Sequence, residues 1–470
     1  MMNKQILSIF WAVSCLFFVS EKVNAQEHKK YNFLFIAVDD LNDWTGFAGG
    51  HPQTQTPNMD LLAASGVVFD KAYCAAAVCN PSRSALMTGI RPSSSGVYGN
   101  QNYFRDSEVL KEILTIPEYL TQHGYKTMAK GKIFHSPNGP WANSEVWGEY
   151  EKISGYFGET VKKDGFMANG IPNGVIDQNL EWGPTDAKLE ETSDYQNTQW
   201  AASQLQKEHD KPFFLACGLT RPHLKWEVPK AFFDKFPEEE MIVPDILESD
   251  LDDIPSGAHA KTKNYTGIKK YNKQRSAVQA YLANINYADT CIGVVLDALA
   301  KSKYAENTVV ILWGDHGWHL GEKLHYKKAT LWEEATRVPL IIKVPGMTPV
   351  GASCPRTVNL MDLYPTIVAL ADIPKNESNE GNDITPLLMN PMADWQYPSL
   401  TTQGENRHSV RDERYRYTRY DDGSEELYDH SVDSLEWINL ADHPKYAQIK
   451  TRLEKAMPTE NVPEIVRTKN

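Results

Sequence analysis

Cys79-Asn80-Pro81-Ser82-Arg83 sets a thiol, a helix-starting proline and a guanidinium in fixed order, ahead of Ser84-Ala85-Leu86-Met87-Thr88-Gly89. Proline suits the first helical position, where its missing N–H is not needed. Cys79 is therefore expected at or just before a helix N-terminus, where free N–H groups and the helix dipole favour negative charge. An anionic nucleophile, or an oxyanion under attack, fits that place. Arg83, about one turn further on, carries a planar fork that matches a tetrahedral oxyanion. A buried structural cysteine beside an ordinary cap is the plain alternative. The extension of the motif through Met87-Thr88-Gly89 argues against it.

Two acidic groups offer a partner chemistry. Asp39-Asp40 supplies paired carboxylates, and Asp315-His316 supplies a carboxylate beside an imidazole. Carboxylate oxygens suit a hard divalent cation such as Ca²⁺, which would steady an anionic substrate and acidify an attacking hydroxyl. Either pair alone reads most simply as a solvated turn. Their placement changes that reading. Phe33–Val38, Phe213–Cys217 and Thr308–Trp313 are apolar runs of strand type, and each is followed by polar residues: Asp39-Asp40, then Arg221-Pro222-His223, then Asp315-His316. In open α/β sheets ligands bind beyond the carboxyl ends of the strands, so these groups are expected to converge.

The intervening segments support an α/β fold with a large, mainly parallel sheet flanked by helices. Ile116–His123 reads as a helix with Gly124 as its stop, Ser276–Lys301 has helical periodicity, and Val338–Val344 is a fourth strand. Residues 235–275 are polar and acidic and read as a long loop. Composition shifts after Pro391. Ser409–Tyr420, the turn Asp421–Ser424, Glu426–Tyr428 and a helix over 444–457 predict a small C-terminal antiparallel sheet with one helix.

Residues 1–25 read as a secretory signal, with Lys4, an apolar run Ile6–Val19 and the ending Val23-Asn24-Ala25. A lipoprotein signal ending at Cys15 is the alternative, but Leu16–Val19 continues the apolar run past that cysteine. No later stretch is long and apolar enough to span a bilayer. The expected organisation is a signal over 1–25, a catalytic domain over 26–391 and a subdomain over 392–470, in an exported protein. Net charge is −13, and loss of Lys4, Lys22 and Glu21 with the signal makes it −14. That excludes nucleic acid as an expected partner and requires a local basic pocket for any anionic substrate.

The motifs together resemble the type I, formylglycine-dependent sulfatases of the alkaline phosphatase superfamily, and among them the iduronate-2-sulfatase branch. The matching segments are Phe35–Leu41, Cys79–Gly89 with Arg91-Pro92, Gly131–His135, Lys211–Phe214, Arg221–His223, Gly314–Trp318, Leu320–Glu322, Ala335–Leu340 and Ser409–Arg411. The resemblance implies a sulfatase acting on a sulfated carbohydrate, a glycosaminoglycan or an algal polysaccharide, possibly with a 2-O-sulfated uronic acid. It implies that a maturing enzyme converts Cys79 to formylglycine (3-oxoalanine). It implies that Ca²⁺ is held by Asp39, Asp40, Asp315, His316 and the modified Cys79. Where many sulfatases carry Asn, this chain has His316, as the iduronate-2-sulfatase branch does. Arg83, Lys132 and Lys328 would position the hydrate and the sulfate, with Lys327 leaving the lysine register open. His135 would be the base that breaks down the sulfated intermediate, and His223 or Lys328 the proton donor to the leaving oxygen. With Cys79 set aside, Cys74, Cys217, Cys291 and Cys354 leave zero, one or two disulfides open. Trp44, Trp226 and Trp318 offer rings either for stacking on sugars or for core packing. Two other readings stand beside this one. They are a phosphate or phosphonate monoester hydrolase of the same superfamily, and a non-catalytic carbohydrate-binding protein in which Cys79 is never converted.

Overall fold

The structure, a computed structural model, describes residues 30–466. The expected export signal and Cys15 lie outside the described residues. Eight strands form the main sheet: β1 (Asn32–Val38), β2 (Val67–Tyr73), β3 (Lys126–Gly131), β4 (Glu149–Glu151), β5 (Phe213–Leu219), β6 (Thr308–Gly314), β7 (Leu340–Lys343) and β8 (Ala352–Asn359). Their spatial order is β8-β2-β7-β6-β1-β5-β3-β4. Strand β1 pairs in parallel with β5 and β6, and β7 alone runs antiparallel, to β6 and β2.

Burial on both faces explains why the central strands read as unbroken apolar runs. Leu34, Ile36 and Val38 point into one core with the 27-residue helix Gln274–Ala300, while Phe33, Phe35 and Ala37 point into the other. The second core also receives Leu86 and Met87 of the helix Cys79–Thr88 and Leu363 and Ile367 of the helix Leu363–Leu370. A separate antiparallel sheet holds β9 (Ser399–Thr402), β10 (His408–Arg411), β11 (Tyr415–Arg419) and β12 (Glu425–Asp429), with the helix Ala447–Glu454 packed on it through Leu453. Buried Arg416 fastens this sheet to the main body by donating to Glu333 and to the Leu331 carbonyl.

Several expectations shift in detail. The signature helix begins at Cys79 itself, so Pro81 sits third in the helix; the first turn needs none of its N–H groups. Residues 235–275 are mostly turns but end in the helix Lys263–Lys270. Strands β2, β3 and β8 had no clear signal. β2 carries Asp70 and Lys71, and β8 is an edge strand with Pro355 at an irregularity between Cys354 and Thr357. Trp44, Trp226 and Trp318 are 3 %, 0 % and 0 % exposed and belong to the core, so the sugar-stacking role falls away. The five described cysteines are all free thiols. Among the described residues no helix is long and apolar enough to cross a membrane.

One close approach aligns the catalytic edge. Gly131 ends β3 at φ +91°, and a Cβ there would lie 2.0 Å from the carbonyl oxygen of Gly218 in β5. A Cβ on Gly218 would in turn meet the backbone of Lys132 at 2.4 Å. Two glycines therefore let the segment carrying Lys132 and His135 lie against the segment leading to His223. Gly131→Ala is expected to destabilise by about 3 kcal/mol in denaturant unfolding. Gly124→Ala, also at positive φ but with open space around its Cβ, should lose only about 1 kcal/mol. Equal losses would contradict the packing argument.

Candidate active site

All ten residues singled out in the sequence meet at the carboxyl edge of the main sheet. Asp39 and Asp40 leave β1, Asp315 and His316 leave β6, Lys132 and His135 follow β3, and His223 follows β5. Cys79 enters from the first turn of its helix, fully buried. Its sulfur lies 3.2 Å from His316 Nε2, 3.0 Å from Lys328 Nζ and 3.9 Å from Asp40 Oδ1.

Arg83 does more than face an oxyanion. It is fully buried, and its Nε donates to Asp315 Oδ2 at 2.7 Å. Nη1 donates to the carbonyls of Lys132 and Ile133, and Nη2 donates to Asp39 Oδ1 at 3.2 Å. Four of its five N–H groups thus tie three strand ends together. Lys132 donates to Asp39 Oδ2, and Lys328 to Asp40 Oδ1. The lysine register is resolved: Lys327 turns away to Asp177 at 3.1 Å, and Lys328 faces the sulfur.

Charge balance decides the protonation states. Burial raises Cys79, but Lys328, Lys132 and His316 outweigh it, and with a hydrogen bond from His135 they hold the thiol well below its ordinary value. Position 79 is therefore built to carry negative charge. Burial likewise raises Asp39, and Lys132, His223 and Arg83 reverse the shift, so the carboxyl stays ionised. Asp315 is pushed up by burial to about 6, only partly offset by Arg83 and His316. Burial lowers His316, but Asp315 more than compensates and takes it to about 9.

The donor set fits a divalent cation. One ligand atom each from Asp39, Cys79, Asp315 and His316 lies within 4.8 Å of the others, and Asp39, Asp40, Cys79 and His223 form an overlapping group. Asp40 sits at φ 58°, and its buried Oδ2 has no hydrogen-bond partner. His316 donates from Nδ1 to the Gly317 carbonyl at 3.0 Å, which leaves Nε2 as the coordinating atom. Cation uptake would displace the proton that Asp315 holds on His316. A third group, Glu333, His430 and Glu436, is already satisfied by Arg416.

The His223 side chain is 32 % exposed, with Nε2 4.0 Å from Asp40 Oδ2. Its Nδ1 lies 2.7 Å from the Leu224 carbonyl and carries the proton there, leaving Nε2 free. Residues that gave no sequence signal complete the cluster. Tyr281, which reads as an ordinary core position of its helix, donates to the Asp40 carbonyl at 2.7 Å and accepts from Asn42 N at 3.0 Å. Trp318 lies under Lys328 Nζ, 5.4 Å from the ring centre. A cavity of about 880 Å³ lies between Trp44, the 242–245 loop and the C-terminal strands, and none of the ten residues lines it.

A buried thiol ringed by carboxylates, lysines and histidines at the edge of a mainly parallel sheet is an arrangement suited to binding and hydrolysing an anionic ester. Comparison with known proteins narrows the class. Residues 31–373 match the family model described as Sulfatase, and residues 321–462 match the one described as N-sulphoglucosamine sulphohydrolase, C-terminal. The chain is 37% identical over 454 residues to a sulfatase of Formosa agariphila, covering 94% of this chain and 89% of that one. It is 32% identical over 387 residues to iduronate 2-sulfatase of Mus musculus, covering 73% and 69%. Its fold is similar to that of BT4656, solved with its substrate D-glucosamine-2-N,6-O-disulfate (TM-score 0.70, 21% identity, 91% and 96% covered). It is also similar to that of phosphonate monoester hydrolase of Agrobacterium radiobacter (TM-score 0.74, 19% identity, 91% and 94% covered). The chain belongs to the sulfatase family. It is a sulfuric ester hydrolase with the alkaline-phosphatase-like fold.

Adding a divalent cation to chelator-treated protein should raise the thermal midpoint by several degrees through ligand linkage. Asp40→Asn should abolish most of that rise. An unchanged midpoint in the unsubstituted protein would count against a cation at this cluster.

Proposed function

We propose that this chain is an exported sulfatase that hydrolyses sulfate esters of a sulfated carbohydrate, using Cys79 after its conversion to formylglycine by a maturing enzyme. The observation that carries the reading is the placement of Cys79 Sγ against Lys328, His316 and Asp40, in surroundings that favour an anion. The similarity to iduronate 2-sulfatase supports a 2-O-sulfated uronic acid as the sugar attacked, and the proposed substrate class is a glycosaminoglycan or an algal polysaccharide. Residues 1–25 support export. We divide the mature chain into a catalytic part over 26–391 and a C-terminal part over 392–470.

Asp39, Asp40, Asp315, His316 and the modified Cys79 would hold Ca²⁺, which supplies Lewis-acid stabilisation of the sulfate oxygens. The formylglycine hydrate supplies an oxygen nucleophile and a second hydroxyl, which a thiol lacks. The chain's own residues do the rest. Lys132 and Lys328 neutralise charge on the sulfate, each already anchored on a carboxylate so that little reorganisation is needed. His223, with Nδ1–H held by the Leu224 carbonyl, gives the leaving oxygen a proton from Nε2 when the ring is the doubly protonated imidazolium. His135 takes the proton that releases sulfate. Arg83 holds the strand ends and keeps one N–H for the residue at 79.

Mass spectrometry of the peptide 72–83 from the native host should show an aldehyde that reacts with a hydrazide probe. An unmodified thiol there would favour the carbohydrate-binding reading instead. His135→Ala should lower kcat by about 10²-fold, and Cys79→Ala by at least about 10³-fold. Turnover of 4-nitrophenyl sulfate should exceed that of 4-nitrophenyl phosphate. Dominant phosphate turnover would favour the phosphate or phosphonate hydrolase reading.

A further inference from the structure

The loop that delivers His223 is gripped by a helix that carries none of the motifs above. The helix Ser193–Leu205 turns one face of its N-terminal end toward the end of β5. Asp194, fully buried, accepts from the backbone N–H of Thr220 with Oδ1 and from that of Arg221 with Oδ2, each at 2.8 Å. Asn197, one turn further along the same face, donates from Nδ2 to the Gly218 carbonyl at 3.2 Å. Beyond this clamp the chain closes a turn, in which the His223 N–H donates to the Thr220 carbonyl at 2.8 Å. His223 thus ends a turn whose first two N–H groups both rest on one carboxylate.

Arg221 locks the far side of the same turn. It donates from Nη1 to the His223 carbonyl at 3.1 Å and from Nε to the Glu227 carbonyl at 3.2 Å. Its guanidinium lies 3.7 Å from the centre of the Phe157 ring. Asp194 and Arg221 are both buried, and each eases the charge of the other. The imidazole of His223 makes a ring hydrogen bond only to its own neighbour, from Nδ1 to the Leu224 carbonyl. Its place is therefore set by the turn that carries it. A proton donor must lie within about 2.6–3.2 Å of the atom it serves, so loosening the turn costs proton transfer before it costs anything else.

We propose that Asp194 is a positioning residue for His223, fixing through the N–H groups of Thr220 and Arg221 the turn that holds the imidazole at the leaving oxygen. The proposal rests on the sulfatase reading above, in which His223 is the proton donor. A departing 4-nitrophenolate needs little help from a proton, whereas a departing phenolate needs more. The experiment compares kcat/KM for 4-nitrophenyl sulfate and phenyl sulfate, since that ratio reports transition-state stabilisation from free enzyme and substrate. Asp194→Ala should lower it about tenfold for phenyl sulfate and less than about twofold for 4-nitrophenyl sulfate. Asp194→Asn keeps one acceptor oxygen and should lose about threefold, on phenyl sulfate alone. An equal loss on both substrates, or no loss on either, would overturn the proposal. Where Asp194→Ala does not fold, Asp194→Asn decides by the same comparison. His223→Ala separates the two readings. A loss there that ignores the leaving group would overturn the acid assignment, and the positioning with it. A loss there that follows the leaving group, with none such in the Asp194 variants, would overturn the positioning alone.

Discussion

Everything at the catalytic edge follows from placing many charges where water is excluded. Asp39, Asp40 and Asp315 are fully buried, and so are Arg83 and His316, with Lys132 and Lys328 nearly so. Isolated charges would be ruinously expensive here. They are tolerated because each is paired, and because the pairing is branched: Arg83 touches both Asp39 and Asp315, Lys132 shares Asp39, and Lys328 shares Asp40 with the sulfur. Asp40 Oδ2 and His135 Nδ1 are left without partners among the site's buried atoms, gaps in a network otherwise closed around position 79.

The fold serves that network by exact-length delivery rather than by shape. Three parallel strands end side by side in the order β6-β1-β5, and each hands over its polar residues immediately after its last apolar one. Parallel pairing makes this arrangement natural, since neighbouring strands finish at the same level. The helix that starts at Cys79 then brings that side chain down onto the row, and Tyr281 and Trp318 brace Asp40 and Lys328 from the core side.

Much of this was legible in the chain. The central strands were visible because both faces are buried, and the candidate site residues because several strand ends, each followed by Asp or His, point to one edge of the sheet. Strand β8 was hidden because an edge strand tolerates Pro355 and Arg356, which break any apolar pattern. Tyr281 was hidden for the opposite reason: a tyrosine on an apolar helix face looks the same whether its hydroxyl holds a catalytic backbone or nothing. The tryptophans stayed open between two roles because apolarity and stacking ability are one property in a sequence and two in a structure. Trp318 serves a cation from inside.

The full burial of Cys79 also has a meaning in time. His316, one wall around the sulfur, lies 237 positions further along the chain. At ordinary synthesis rates that segment takes roughly 10–50 s to emerge. Until then the sulfur has no lid, and afterwards no second protein can reach it. Any enzyme that must alter this side chain is therefore racing the closure of the sheet, and the delay before β6 arrives sets the length of the race.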